Sequence, residues 1–138
     1  MSNNNIFVEK LRFSGLRPTK QRIAICKLLF DRIDTFHFTV NEINKILKNN
    51  SAEKISLATI YNTIHAFKKK GYLKEISISG YKSYFDTNVS NHHHFFNEST
   101  NELIDLKDDD VGNIKIKKTI PGIKIKSVEV LVKIVDSN

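Results

Sequence analysis

The sequence has little of what several protein classes require. Cys26 is the only cysteine among 138 residues, which excludes both an intrachain disulfide and a cysteine-rich zinc site. No stretch approaches the ~18 consecutive apolar residues of a membrane span. The segment Met1–Asn5 lacks the basic and apolar regions of a signal peptide. We therefore expect a cytoplasmic protein with no membrane partner.

The usual signatures of catalysis are also missing. The chain has only five glycines and no Gly-rich phosphate loop, and it contains no recognisable nucleophile motif. We predict that the protein is not an enzyme. The alternative from another class is a histidine–carboxylate metal- or haem-binding protein, or a small metalloenzyme such as a hydrolase. An enzyme of that kind would need an open coordination position and a general base.

What the sequence does have is positive charge, concentrated in its first part. Residues 1–82 hold fifteen Lys and Arg against six Asp and Glu, which gives +9. Residues 83–138 hold seven against nine, which gives −2, and the two parts sum to the net charge of +7. A concentrated basic region is typical of a polyanion partner such as nucleic acid, although a solubilising lysine surface has the same charge.

Helical spacing of apolar residues is found within this basic region. Pro18 suits the first turn of a helix, where its missing N–H costs nothing. Cys26 lies in the apolar stripe that follows, so we predict that it is a buried, unreactive side chain. A second helix begins at Thr39, which forms a predicted capping box with Glu42.

A third helix is predicted between Ser56, a good N-cap, and Gly71, a good C-terminal stop. Its predicted core face consists of Leu57, Ile60, Ile64 and Phe67. Its opposite side presents Ala58, Asn62, His65, Ala66 and Lys69, with Tyr61 at the boundary. Small, amide, phenol and ammonium groups suit contacts with base edges and phosphates, although an ordinary solvated face has the same composition.

A two-stranded hairpin is predicted after this helix. Ile76 and Ile78 alternate with polar residues, Ser79 and Gly80 suit a turn, and residues 81–85 return as the second strand. Three helices followed by a hairpin, all strongly basic, are typical of a winged helix. In such a domain the third helix enters the major groove of DNA.

The second part of the sequence contains a histidine cluster. His92, His93 and His94 are consecutive, and in an extended segment the first and third share one face. Carboxylates surround the cluster at Asp86, Glu98, Glu102 and Asp105. Two imidazoles with one or two carboxylates suit iron, zinc or manganese, and three histidines before two phenylalanines suit a haem iron. A structural cluster without a ligand remains the alternative, whereas a purification tag would lie at a terminus.

The last third of the chain is less regular in pattern. Residues 108–110 are three aspartates that suit a solvated turn or a helix start, and residues 114–121 fit a short helix or a strand equally well. Residues 123–134 are β-branched and alternating, so we predict a strand there. A sheet built from residues 95–106 and 123–134 has exposed edges that a second copy of the chain can cover, which favours a homodimer.

In combination, these segments resemble the ferric uptake regulator family, and within it the iron response regulator branch. The resemblance covers most of residues 11–106, in order. It rests on LRPTKQR at 16–22, SLATIYNTIH at 56–65, KSYFDTN at 82–88, HHHFFNE at 92–98 and ELID at 102–105. It implies an α+β fold: a winged-helix DNA-binding domain, which we place at 1–86, and an α/β dimerisation and ligand-sensing domain at 87–138.

The resemblance also implies how DNA is bound. A dimer would repress at AT-rich palindromic operators, with Tyr61 and Asn62 near the bases and Arg17 in the narrow minor groove. Ser56 and Thr59 would contact phosphate. Arg22 and His65 complete the predicted DNA-binding set.

The ligand set follows from the resemblance in the same way. His37, Asp86, His94 and Asp105 stand at the positions of the family's sensory metal site, with His92 as a fifth candidate ligand. Such a site would tie the two domains together. In the iron response branch, members sense iron as haem through the histidine run, here His92, His93 and His94.

Two departures from the family pattern accompany these matches. The CxxC pair of the structural zinc site would fall at Asn97 and Thr100, which cannot hold zinc. A further carboxylate and histidine expected toward the C-terminus are also missing. We therefore predict a regulator of iron or haem homeostasis that binds a divalent metal or haem and has no structural zinc.

Overall fold

The structure, a computed structural model, describes residues 4–50 and 54–137. The first three residues of the segment used in the signal-peptide argument lie outside this range. The chain forms two compact units, of which the first ends at Val89 and the second begins at Ser90. No helix in the described residues is long and apolar enough to cross a membrane.

The helices of the first unit form its core. In the described residues they are α1 (Asn4–Phe13), α2 (Lys20–Phe30), α3 (Val40–Asn50) and α4 (Leu57–Lys70). Helix α1 was not among the predicted elements, although Phe7 and Leu11 are spaced for one buried helical face and both are buried. The predicted burial of Cys26 is confirmed, because this side chain is fully buried in the same core.

The starts of α2 and α3 are fixed by threonine caps. Thr19 has extended backbone angles, and its hydroxyl accepts a hydrogen bond from the amide of Arg22 at 3.2 Å. Pro18 therefore lies before the cap, and the prediction that it occupies the first helical turn is wrong. At α3, the hydroxyl of Thr39 accepts from the amide of Glu42 at 3.1 Å, which confirms the threonine half of the predicted capping box.

The predicted limits of α4 are confirmed. The Ser56 hydroxyl accepts from the amide of Thr59 at 3.1 Å, which satisfies one of the unpaired amides at the helix start. Gly71 ends the helix with a φ of +94°, a left-handed conformation that glycine adopts without steric cost.

The predicted core face of α4 is correct except at its first residue. Ile60, Ile64 and Phe67 are fully buried, whereas the side chain of Leu57 is 48% exposed. Leu57 is the first residue of the helix, one turn before Ile60, and the core does not extend that far. The prediction that Leu57 faces the core is therefore wrong.

Three strands of the first unit form an antiparallel sheet in the order β1-β3-β2. They are β1 (His37–Phe38), β2 (Lys74–Ser79) and β3 (Lys82–Asp86). The predicted hairpin is confirmed, with Ile76 and Ile78 buried. Its turn lies one residue later than predicted, because Ser79 pairs with Lys82 across the hairpin.

The second unit contains the strands β4 (His93–Asn97), β5 (Glu102–Leu106) and β6 (Leu131–Ile134). The central strand β4 pairs with β5 in the antiparallel direction and with β6 in the parallel direction. The three aspartates at 108–110 form one exposed turn of 3₁₀ helix. Residues 114–121, whose pattern fits a helix or a strand equally well, form neither.

The predicted strand over residues 123–134 is wrong for most of its length. The observed strand covers only Leu131–Ile134, which pairs residue by residue with His94–Asn97 of β4. A strand needs a hydrogen-bonding neighbour, and β4 is only five residues long. Residues 123–129 therefore extend past the ladder, and local propensity alone does not make them a strand.

Candidate nucleic-acid interface and metal centre

The exposed side of α4 is the largest predicted DNA-facing surface of the first unit. Burial of Ile60, Ile64 and Phe67 orients the opposite side of the helix toward solvent. Tyr61 is 52% exposed and Asn62 beside it is also exposed. The structure therefore presents both residues predicted to approach bases on the same exposed part of one helix.

His65 supports this surface from one turn further along α4. Its ring lies 4.1 Å from the ring of Tyr61 and 5.6 Å from that of Phe85 on β3, in both cases between ring centroids. The side chain is half-buried between α4 and the sheet. His65 can therefore orient Tyr61, and it is less accessible to DNA than the residues before it.

The N-terminus of α4 holds the two residues predicted to contact phosphate. The Ser56 and Thr59 hydroxyl oxygens are 2.9 Å apart and hydrogen-bonded to each other. Both groups are engaged in the helix cap, at an end where unpaired amides and the helix dipole favour an anion. A phosphate at this end would meet backbone amides as well as these hydroxyls.

The predicted minor-groove residue Arg17 lies in the loop between α1 and α2, and it is exposed. Its backbone carbonyl accepts a hydrogen bond from Nη1 of Arg22 at 2.9 Å. Arg22 itself is half-buried. The two arginines of the predicted DNA-binding set therefore differ, since one is open to solvent and the other turns back onto the protein.

Two of the predicted metal ligands belong to the first unit. His37 on β1 and Asp86 on β3 are directly opposed partners in the antiparallel ladder. Asp86 is almost fully buried, and its Oδ1 accepts a hydrogen bond from the amide of Asn88 at 2.8 Å. The sheet thus places an imidazole and a carboxylate on neighbouring strands.

The other three predicted ligands converge in the second unit. Oδ1 of Asp105 lies 3.1 Å from Nε2 of His94 and 3.4 Å from Nε2 of His92. The two imidazole rings are 4.3 Å apart between centroids, and both side chains are buried. The hairpin register explains this arrangement, because His94 and Asp105 are cross-strand partners.

His93 points away from this cluster, as the alternation of a strand predicts. Its Nδ1 accepts a hydrogen bond from the amide of Val130 at 2.9 Å. His93 therefore helps to hold the chain at the start of β6. The three consecutive histidines do not share one face: two of them meet the carboxylate and one binds the backbone.

The cluster in the second unit has the donor set of a borderline divalent cation. Each of His92, His94 and Asp105 offers a nitrogen or oxygen ligand atom, and these atoms lie within 4.8 Å of one another. Imidazole and carboxylate donors suit manganese, iron and zinc. Thiolate is not available, because burial raises the pKa of the Cys26 thiol to about 12 against an opposing effect of Lys10.

Asn97 and Thr100, which stand where the family has its CxxC zinc pair, take part in a set of hydrogen bonds. Oδ1 of Asn97 accepts from the amides of Ser99 at 2.9 Å and Thr100 at 3.3 Å. Its Nδ2 donates to Asp136 Oδ1 at 3.0 Å, and the Asp136 amide donates to the Ser99 hydroxyl at 3.0 Å. We call these four residues the Asn97 clamp. Sequence reasoning missed it, although an asparagine before a polar turn suggests its local half.

Comparison with known proteins identifies a family and several relatives. The model of the ferric uptake regulator family matches residues 13–133. Peroxide-responsive repressor PerR of Staphylococcus aureus is 36% identical over 100 residues, which are 72% of this chain and 66% of the repressor. The match thus spans slightly less than two thirds of that relative's length.

Solved structures with the same fold come from more distant proteins. The ferric uptake regulator of Pseudomonas aeruginosa with manganese aligns with a TM-score of 0.69 at 20% identity, covering 96% of this chain and 99% of that one. The regulator Fur of Vibrio cholerae aligns with a TM-score of 0.67 at 21% identity, covering 91% and 96% respectively. These likenesses establish the predicted α+β architecture.

Proposed function

The chain belongs to the ferric uptake regulator family, and we propose that it is a transcriptional repressor whose affinity for DNA depends on a bound ligand. In this proposal a homodimer binds AT-rich palindromic operators and regulates iron or haem homeostasis. The observation that supports it most directly is the exposed Tyr61–Asn62 side of α4, within the strongly basic part of the sequence.

DNA recognition follows from that surface. A helix held by its buried side can enter the major groove with Tyr61 and Asn62 toward base edges, while Ser56 and Thr59 meet phosphate. Arg17 is exposed, as a residue that enters the minor groove must be. The +9 charge of residues 1–82 supplies the counterion release that drives association with a duplex.

Dimerisation is supported by the outer strands and the exposed isoleucines of the second unit. Its sheet has β5 and β6 as outer strands in the described residues. Five isoleucines between residues 114 and 125 are between 41% and 68% exposed, namely Ile114, Ile116, Ile120, Ile123 and Ile125. Five exposed isoleucines within twelve residues favour a protein–protein contact, and two copies of the chain would match a palindrome.

The proposed ligand is a divalent cation held by the cluster of His92, His94 and Asp105. When bound, the ion supplies fixed positive charge that holds these side chains together. The chain's own contribution is to pre-position a shared carboxylate oxygen between two buried imidazoles. We propose that His37 and Asp86 are further ligands. The proposal for these two residues rests on the family resemblance.

Haem, the ligand of the iron response branch, is the alternative to a divalent cation at the same histidines. It would require His92, His93 or His94 to bind iron against an apolar wall. The shared carboxylate of Asp105 and the bond from Val130 to His93 favour a divalent cation. The relative in Staphylococcus aureus is named for peroxide response, so peroxide is a useful additional probe of the loaded protein.

The DNA-binding part is tested by fluorescence anisotropy of an AT-rich palindromic duplex, with a scrambled duplex of equal composition for comparison. Tyr61→Ala is expected to weaken palindrome binding by about 1–3 kcal/mol, or roughly 5- to 140-fold, with little effect on the scrambled duplex. Lys118→Ala, which removes an exposed charge in the second unit, is the control. Equal affinity of wild type for both duplexes at low salt contradicts the proposal.

The metal part is tested by calorimetric titration with manganese(II). His94→Ala is expected to lower manganese affinity by at least about 10–100-fold, the loss that is typical of removing even a residue that only orients a metal ligand. The matched control is His93→Gln, which changes the neighbouring histidine but keeps an acceptor for the Val130 amide and should retain affinity. If His93→Gln lowers manganese affinity as much as His94→Ala does, the assignment of the cluster is wrong.

A further inference from the structure

We infer that Arg22 and Gln21, in the first turn of α2, are positioning residues for the two DNA-facing segments of the first unit. Arg22 acts through Arg17, and Gln21 acts through the segment that leads into α4. The inference rests on the proposed DNA-binding function. It assigns to Arg22 a role other than the direct DNA contact predicted from the sequence.

Arg22 is turned toward the protein, although it is a charged residue. Its Nη1 donates to the carbonyl of Arg17 at 2.9 Å, five residues earlier in the chain. Its Nε is buried and has no hydrogen-bond partner in the part of the chain that the structure describes. Because burying a guanidinium nitrogen without a partner is costly, other contacts must stabilise this orientation, and the bond to Arg17 is one of them. With Nε buried and Nη1 bonded to Arg17, the guanidinium is turned toward the protein rather than toward a phosphate.

The residue held by Arg22 lies between two anchored positions of the loop that joins α1 to α2. Leu16 packs against the core on one side of Arg17, and Thr19 caps α2 on the other. Between these two anchors, the hydrogen bond from Arg22 fixes the backbone of Arg17 while its side chain stays exposed. Fixing the backbone before binding reduces the conformational entropy that binding would otherwise cost.

Gln21 makes the corresponding contact on the other side. Its Nε2 donates to the carbonyl of Lys54 at 3.1 Å, 33 residues later in the chain. Lys54 lies two residues before Ser56, the N-cap of the proposed recognition helix. Consecutive side chains on a helix diverge by about 100°, which lets Gln21 and Arg22 reach two different segments. One helical turn thus fixes the approach of both DNA-facing elements.

The positioning role has a signature that a direct phosphate contact does not share. If Arg22 acts only through Arg17, removing Arg22 has no further effect once Arg17 is alanine. If Arg22 binds phosphate itself, the two losses add. If Arg22 binds phosphate, its removal would also reduce the magnitude of the slope of log affinity against log salt by about 0.9 in the Arg17→Ala background.

The experiment is a double-mutant cycle of Arg17→Ala and Arg22→Met in the full chain, with palindromic and scrambled duplexes at several salt concentrations. Arg22→Met is expected to weaken palindrome binding about tenfold alone and less than twofold in the Arg17→Ala background, with an unchanged salt slope there. The comparator Lys20→Met removes an exposed charge from the same turn, and its effect should be equal in both backgrounds. Thermal unfolding of each variant identifies any loss of fold.

Additive effects of Arg17→Ala and Arg22→Met overturn the inference for Arg22 and leave the proposed function intact. Failure of wild type to prefer the palindrome refutes the proposed function itself. Gln21→Leu is the second variant, because it removes no charge and keeps a folded helix start. It is expected to reduce the preference for palindrome over scrambled duplex about threefold to tenfold, and an unchanged preference overturns the inference for Gln21.

Discussion

Replacing Asn97 by alanine removes the centre of the Asn97 clamp. The substitution deletes two bonds from turn amides to Oδ1 and one bond from Nδ2 to the Asp136 carboxylate. A net contribution of roughly 0.5–1.5 kcal/mol is typical of one such bond, and bonds to a charged group are stronger. The bonds are solvent-exposed and one of them is long, so we expect a total loss of about 1–3 kcal/mol in the free energy of unfolding. A typical total is about 5–15 kcal/mol.

Urea denaturation, followed by circular dichroism, measures this loss. The exposed Asn113→Ala is a matched control in the same unit and should change stability by less than about 0.5 kcal/mol. Asn97→Asp should also destabilise, because it places a carboxylate against Asp136. Adding Asp136→Asn reverses donor and acceptor and should restore most of the stability. If Asn97→Ala behaves like the control, or if the double exchange gives no rescue, the clamp does not stabilise the unit.

Three further predictions concern the first unit. Burial raises the pKa of the Cys26 thiol to about 12, so native protein should react with a thiol reagent only as fast as it unfolds. The free energy of unfolding should also fall as the pH rises from 9.0 toward 12, because only the thiol of the unfolded chain ionises in that range. The hydrogen bond from Lys68 is the chief cause that lowers the pKa of Glu75, so Glu75→Gln should reduce the free energy of unfolding at neutral pH. The difference in stability between variant and wild type should vanish as the pH falls below 4.5 and through the lowered pKa, where the carboxylate becomes protonated. Phe67→Ala should cost about 3–5 kcal/mol by urea denaturation, since its ring is fully buried against Phe30 and Tyr72.

Elements with local signals were predictable from the sequence, and α4 is the clearest case. Its N-cap Ser56 and its C-terminal Gly71 are each fixed by hydrogen bonds and backbone angles within a few residues. The alternation of side chains in a strand likewise predicts that His93 lies on the opposite face from His92 and His94. The first helix, α1, was missed although its signals are also local: Phe7 and Leu11 are buried on one face, and Gly15 follows the helix end with a φ of +78°.

Features that depend on distant partners were not predictable. Residues 123–134 have strand propensity throughout, yet only Leu131–Ile134 has β4 as a neighbour. The bond from Asn97 to Asp136 joins residues 39 positions apart, and the sequence contains no local indication of it. The inward turn of Arg22 is similar, because only the fold shows that its guanidinium binds the Arg17 carbonyl.

In the proposed function, ligand binding at the histidine cluster changes the affinity of the protein for DNA. The most direct test is anisotropy of the palindromic duplex with metal-free protein, repeated with manganese(II) and with haem, for wild type and His94→Ala. We expect a several-fold change in wild-type affinity on adding manganese(II), and no such change in His94→Ala. Tight binding that neither ligand alters in wild type would contradict it.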